Sequence, residues 1–218
     1  MFKKLIIYGA SDFGCEIMYA AVENKASYGK YETIAFIDDD IDKIGKKLEN
    51  VDIIPLDMAA KLATKDEVYF IAGVGNTMVR KKIIEELVRA IPDPKFATIV
   101  HKSAIMMSNT EIEEGVFIAP GATIAIRCYL KAHSIINQNV SVGHDSVVGE
   151  YSIVSPGCIL SGRTNIGKTT FLGSNVVTYP GVTIGDNCAV SALNVVARDL
   201  EIGKKLMHRA NAVILPNE

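Results

Sequence analysis

The chain has 218 residues, enough for two modest domains, and its 49% apolar and 22% charged residues are an ordinary balance for a soluble protein. A formal net charge of −2 leaves no basic footprint for nucleic acid or an anionic membrane. No window approaches the length of a membrane-crossing helix, and the short apolar run after Lys3-Lys4 has no small-residue cleavage site, so the start reads as a strand and the protein as cytoplasmic.

In chain order, Lys4 to Tyr8 reads as a buried strand, and Gly9-Ala10-Ser11-Asp12-Phe13-Gly14 as a tight turn opening a helix to about Asn24. Thr33 to Asp38 is a second strand and Val51 to Ile54 a short third. Asp57 is placed to cap a short helix through Ala63. Val68 to Ala72 is another buried strand and Met78 to Arg89 a periodic helix. Alternating strands and helices predict a small parallel sheet of Rossmann type over residues 1–98, with Ile91-Pro92-Asp93-Pro94 breaking the chain at the domain join.

Such sheets bind ligands at the carboxyl ends of their strands. Three stretches lie there: Gly9 to Gly14, the pair Asp38-Asp39, and Gly73-Val74-Gly75-Asn76. The turn reads Gly-x-x-x-x-Gly, an incomplete dinucleotide fingerprint, which weakens a nicotinamide-enzyme reading. A helix N-terminus there still offers free N–H groups to a phosphate. An acidic residue ending the second strand commonly accepts ribose hydroxyls or a base edge. Asp38, Asp39, Asp40 and Asp42 fit a solvated turn equally well.

From Ile112 to Ile202 an aliphatic residue returns every sixth position, with one break at Thr178. Four residues after each comes a mostly small series running from Val116 and Ala122 to Cys188. Neither a helix nor a long strand keeps that period, but a hexapeptide β-helix does. Side chains alternate across a strand, so the small and the aliphatic residue point inward and the other three residues turn a corner. Glycines directly after the aliphatic residue (Gly143, Gly149, Gly167, Gly173, Gly185), and Gly or Asn two positions further on, supply residues that tolerate positive φ. Three hexads close one triangular coil, giving about five coils over residues 99–202 and leaving 203–218 as a tail. Cys128, Cys158 and Cys188 fall at small inward positions out of step with the coil, which disfavours a disulfide or shared metal site and reads as buried thiols in a reducing compartment. Cys15 reads as core.

Of the four histidines, His101 lies at the join, His208 in the tail, and His133 and His144 at corners. Asp145 follows His144, and a carboxylate beside an imidazole suits a general base near neutral pH; the pair also fits a solvated corner. Catalytic zinc needs a third histidine from a neighbouring coil, and none follows before His208, so no metal is expected.

The chain resembles the bacterial sugar-nucleotide N-acetyltransferases of the bacillosamine type, grouped with the sialic acid O-acetyltransferases. The resemblance covers nearly the whole chain. It rests on Tyr8-Gly9-Ala10-Ser11 with Gly14, Ile37-Asp38-Asp39, Gly75-Asn76, His101-Lys102-Ser103-Ala104, Ile136-Asn137, His144-Asp145, Val148-Gly149-Glu150-Tyr151-Ser152 and Ile166-Gly167-Lys168. It implies a Rossmann-like domain followed by a left-handed parallel β-helix, and a homotrimer with acetyl-CoA lying as co-substrate between adjacent β-helices. It also implies a UDP- or dTDP-linked amino sugar on the N-terminal domain. His144 is then the general base, tuned by Asp145, with Asn137 helping to position the reacting groups in a direct transfer. Gly9, Ala10, Ser11, Asp12, Phe13, Asp38, Asp39, Gly75 and Asn76 match positions that approach the nucleotide or sugar, and Ile153, Gly162, Ser174 and Ala192 match the CoA groove. Phe13 and Ile153 stand where some relatives carry His, and the tail from Leu206 to Asn211 lacks the usual Gly-x-Pro-Ala-Lys segment near the CoA adenine. O-acetyl transfer to a sialic-acid-like sugar and a non-catalytic sugar-nucleotide-binding β-helix are the alternatives.

Overall fold

The computed structural model describes residues 2–207. The N-terminal domain comprises β1 (Lys3–Tyr8), α1 (Asp12–Val22), β2 (Tyr31–Ile37), β3 (Lys47–Leu48), β4 (Val51–Ile54), α2 (Leu56–Ala63), β5 (Val68–Ala72), α3 (Thr77–Ala90) and β6 (Lys95–Phe96). Its sheet runs β3-β4-β2-β1-β5-β6, parallel except for the β3–β4 hairpin. β1 is apolar on both sides because both are covered: Leu5 and Ile7 face the α1 layer, Ile6 and Tyr8 the α3 layer. Among the described residues no helix is long and apolar enough to cross a membrane.

Two local expectations shift. α1 stops at Val22, short of Asn24, because that side chain serves the join: its Oδ1 accepts the Val100 N–H at 2.6 Å and its Nδ2 donates to the Gly29 carbonyl at 2.8 Å. α2 starts behind Pro55, so Asp57 lies inside the first turn, near the positive helix end and 3.1 Å from Lys61, and does not cap it.

From Ile99 onward two-residue strands stack in parallel on three faces. The first face carries seven strands, from Ile99–Val100 to Lys205–Leu206. The second carries six, from Ile105–Met106 to Val195–Val196, and the third five, from Glu111–Ile112 to Thr183–Ile184. The stack is therefore longer than five coils, and part of the expected tail belongs to it. The beat fails at its end: Leu200 bridges Ile184, Lys205–Leu206 pairs with Ala189–Val190, and Ile202 is exposed. Leu200 takes the place expected for Ile202, two residues early. The tail motif beyond Met207 lies outside the described residues.

Inside the prism one continuous aliphatic cluster runs from Val100 to Val196. The small inward residues do more than fit. Ser152 donates to the Gly167 carbonyl at 2.6 Å and accepts the Thr170 N–H at 2.8 Å, and Thr170 repeats this with Gly185 and Cys188 at 2.7 and 3.1 Å. Each such hydroxyl satisfies corner backbone groups of the next coil that would otherwise be buried unpaired. The break at Thr178 has the same cause: its buried Oγ1 lies 2.8 Å from Thr164 Oγ1 and accepts the Ser161 N–H at 3.1 Å. Cys128, Cys158 and Cys188 are buried free thiols, one before a strand on each face.

The corner glycines divide into two kinds. Gly115, Gly121, Gly157 and Gly181, with Asn139, Asn175 and Asn187, have positive φ as expected. Those directly after the aliphatic residue do not; they are small because the next coil is close, a Cβ on Gly143 lying 2.5 Å from the Gly162 nitrogen.

The three faces differ outside. On the first, Ile99, Phe117, Ile135 and Ile153 are buried under α1 and the N-terminal sheet. Each such burial contributes about 1.5–3 kcal/mol, so the two domains share a core. The second face, uncovered, leaves Ile105, Ile159 and Val195 at 58%, 49% and 56% exposure. The third shows mainly polar or hydroxyl-bearing residues: Glu111, Tyr129, Asn165 and Thr183. Below, these are the docked, open and polar faces.

Candidate active site

His144 sits on the corner between the open and polar faces, one residue before the left-handed Asp145 (φ 59°). Its Nδ1 lies 2.7 Å from Asp145 Oδ2. Asp145 is itself clasped by Arg127 of the preceding coil, Nε to Oδ1 at 2.6 Å and Nη2 to Oδ2 at 3.0 Å. The Arg127 bonds, then the His144 bond, hold the Asp145 carboxyl well below the usual carboxylate range. A permanent carboxylate must accept, so Nδ1 donates to it and Nε2 is the ring nitrogen turned toward a substrate. The ring leans over Gly162 of the next coil, where a Cβ would lie 2.5 Å from Nε2. Gly162 thus makes room for the imidazole. Arg127 was not anticipated; its signal was its place one coil before Asp145 at the same corner.

The other expected residues of the transfer site lie elsewhere in the protomer. Asn137, Ser174 and Ala192 belong to the corner between the docked and open faces, a full face away from His144. Asn137 therefore does not sit beside His144 within one chain. Ile153 is 2% exposed inside the interdomain core, so its side chain is withdrawn from any groove. His133 and His144 occupy different corners, and among the described residues no group of three His, Cys, Asp or Glu is placed to hold a metal.

In the N-terminal domain the three expected stretches do meet at one sheet edge. Ser11 caps α1, accepting the Gly14 N–H at 3.2 Å and donating to the Gly73 carbonyl at 3.0 Å. Gly9 has φ +123°, and a Cβ there would strike the Gly73 carbonyl at 2.7 Å. Glycine at 9, 14 and 73 brings the loops after β1 and β5 into contact. Asp12 is exposed in the first turn of α1. Ala10 donates its N–H to Asp38 at 3.1 Å. Asn76 caps α3 through Met78 and Val79 N–H, so its side-chain oxygen is engaged, whereas Gly75 has open space beside it. Gly75 and Asn76 line a cleft of about 420 Å³ against Thr169, Phe171, Ala189 and Lys205 of the docked face. Phe13 packs edge-on against Phe117, 5.8 Å between centroids, and so serves the domain interface.

Residues 4–87 match the PglD N-terminal domain, and residues 163–198 match the bacterial transferase hexapeptide family (six repeats). The acetyltransferase domain of PglB from Neisseria gonorrhoeae is 24% identical, with a TM-score of 0.82 over 93% of this chain and 95% of that one. A structure of that domain in complex with acetyl coenzyme A superposes equally well. PerB from Caulobacter crescentus, in complex with CoA and GDP-perosamine, is 23% identical with a TM-score of 0.80 over 93% and 92% of the two chains. WeeI from Acinetobacter baumannii is 21% identical, with a TM-score of 0.62 over 93% and 95%. The chain is an α/β domain of the PglD N-terminal type joined to a left-handed parallel β-helix of hexapeptide-transferase repeats, as the resemblance in its motifs implied.

Proposed function

We propose that the protein is an acetyl-CoA-dependent N-acetyltransferase acting on a nucleotide-linked amino sugar. The observation that carries the reading is the His144–Asp145–Arg127 chain, which holds Nδ1 on a carboxylate and turns Nε2 outward on an exposed corner above Gly162. In the transfer, the acceptor amine attacks the thioester carbonyl while His144 Nε2 takes its proton. The tetrahedral intermediate collapses with cleavage of the C–S bond, and the thiolate takes the proton from the imidazolium, giving an acetamide and free CoA. No acyl-enzyme is needed. The PglB domain in complex with acetyl coenzyme A, and PerB in complex with CoA and GDP-perosamine, support the donor and the substrate class.

The active site is assembled between copies in a homotrimer. Two features support this. The apolar open face is bare in the single chain, and the corner bearing Asn137, Ser174 and Ala192 lies across that face from His144. Packing the open face of one copy on its neighbour brings the two kinds of corner together around one groove, and cyclic symmetry repeats the groove. Acetyl-CoA and the acceptor amine meet there, with Asn137 of the neighbouring copy positioning the reacting groups.

A panel of UDP-, dTDP- and GDP-linked amino sugars with acetyl-CoA, followed by thiol release, tests the reaction and names the nucleotide. Turnover with an amino sugar and none with hydroxyl acceptors is expected. Turnover with a sialic-acid-like hydroxyl acceptor alone replaces N- by O-transfer, and no turnover on any acceptor overturns the enzyme reading. Light scattering tests the assembly: a monomer at micromolar concentration rules out a shared site, and Ile159→Asp is expected to dissociate the trimer and abolish turnover together.

A further inference from the structure

Arg127 and Asp145 stand one coil apart, 18 residues in sequence, at the corner that carries His144. Both have positive φ, 56° and 59°. Side chains at such positions lean on the preceding coil, as His133 does over Gly115 and Asn139 over Gly121, so Asp145 is turned toward the coil of Arg127. One guanidinium then engages both carboxylate oxygens: Nε donates to Oδ1 at 2.6 Å and Nη2 to Oδ2 at 3.0 Å. Oδ2 also meets Nδ1 of His144 at 2.7 Å. The planar fork fixes the plane of the carboxylate as well as its distance. Arg163, at the equivalent position one coil further on, makes no side-chain hydrogen bond or ion pair among the described residues.

Stability does not account for the clasp. The Arg127 side chain is 54% exposed and that of Asp145 34%, and ion pairs so open to water generally contribute little to a fold. A lone carboxylate beside an imidazole favours the protonated ring, which helps the ring take a proton and hinders its release. The transfer needs both steps, because the proton taken from the amine goes on to the thiolate. A guanidinium on the same carboxylate opposes that bias. Its hydrogen bonds to Asp145 hold Arg127 above its ordinary range, so the opposing charge is permanent. The rest of the surroundings add little: the ring leans on uncharged Gly162 of the next coil beside Arg163, and burial keeps the Cys128 thiol at this corner neutral.

We propose that Arg127 is a positioning residue of the transfer: it fixes the Asp145 carboxylate against His144 and offsets its charge there, so that the imidazole releases the proton it takes. The proposal rests on the reading of His144 as the base of an acetyl transfer. Arg127 acts through Asp145 and touches neither substrate.

The test follows the His144 signal in ¹H–¹⁵N imidazole spectra of the intact ¹⁵N-histidine-labelled protein, assigned with His144→Ala, as pH is varied. Arg127→Ala is expected to raise the titration midpoint of His144 by roughly half a pH unit, the effect of removing one nearby, solvent-screened positive charge. Arg127→Lys, which keeps the charge and loses the fork, is expected to leave the midpoint near wild type. If the guanidinium only braced Asp145, its loss would loosen the carboxylate from the ring and lower the midpoint instead. In acetyl transfer, Arg127→Ala is expected to lower kcat about tenfold and Arg127→Lys about threefold, with the KM of both substrates unchanged. Added to Asp145→Asn, Arg127→Ala is expected to cost nothing further, because its effect passes through Asp145. An unchanged or lower midpoint in Arg127→Ala, or kinetic losses that add independently, overturns the proposal. The expected midpoints in a protein that transfers no acetyl group leave the charge balance at His144 standing and sink the proposed reaction instead.

Discussion

His133 and His144 stand at corners of the same prism and have opposite fates. His133 occupies the left-handed corner position (φ 59°), from which a side chain runs along the stack of coils. Its ring lies on Tyr151 at 5.3 Å, meets Phe96 edge-on at 4.6 Å, and fills the space a Cβ on Gly115 would need. The residue is 5% exposed, its Nδ1 has no partner among the described residues, and burial, followed by the nearby Arg80 charge, pushes the imidazole pKa down to about 3. His144 stands one position before the left-handed residue and its ring leans over Gly162 of the next coil, with 47% of the side chain exposed and a carboxylate on Nδ1. A histidine at such a corner handles protons or packs according to its place in the turn, because the left-handed position aims the side chain at the preceding coil, as His133 over Gly115 and Asn139 over Gly121 do.

The widest separation expected between the two is catalytic. His144→Ala lowers kcat about 10²–10⁴-fold with an unchanged melting temperature, whereas His133→Ala lowers the melting temperature and leaves the kcat of folded protein near wild type. Steady-state kinetics beside thermal unfolding checks both, and a His144→Ala variant with near-full rate removes the general base. Gly162→Ala comes next: its methyl group displaces the imidazole, and a loss of roughly tenfold or more in kcat with little change in the KM of the sugar nucleotide is expected. Asp145→Asn is expected to cost less than His144→Ala, about tenfold, because the amide still contacts Nδ1 but no longer requires it to carry the proton. An equal loss makes Asp145 more than an orienting group.

The smallest effect is on stability against pH. His133 has a folded pKa below its unfolded value, so between about 6.5 and 3 the unfolded chain binds the extra proton. Stability contributed by neutral His133 is complete above that window and falls as pH drops through it, with a slope approaching ~1.4 kcal/mol per pH unit. His133→Phe, which retains an aromatic ring between Phe96 and Tyr151, is expected to flatten that limb in denaturant titrations at pH 7, 5.5 and 4. An unchanged acid limb shows that His133 is not the group responsible.

Much of this is legible in the sequence because it is local or periodic. β4 and β5 fall at the expected residues, and the interior of the prism follows the six-residue beat until Leu200 replaces Ile202. Asn24 and the glycines after the aliphatic residues depart from expectation because each is decided by a neighbour distant in sequence, Val100 and the next coil, while Asp57 departs because the helix already starts behind Pro55. His144 and Asp145 were legible as adjacent residues. That Asn137 is separated from them, that Ile153 is buried, and that Arg127 completes the chain were not, since each depends on which face a hexad occupies.

The sequence by itself determined the two-domain division, the coil period and the imidazole–carboxylate pair, because backbone periodicity and nearest-neighbour chemistry are written along the chain. Only the tertiary structure decided which face the N-terminal domain covers, which face stays bare, and at which corner each expected site residue lies. Those outcomes turn on long-range packing, where one partner lies tens of residues away and the side chain's direction is set by the coil above it.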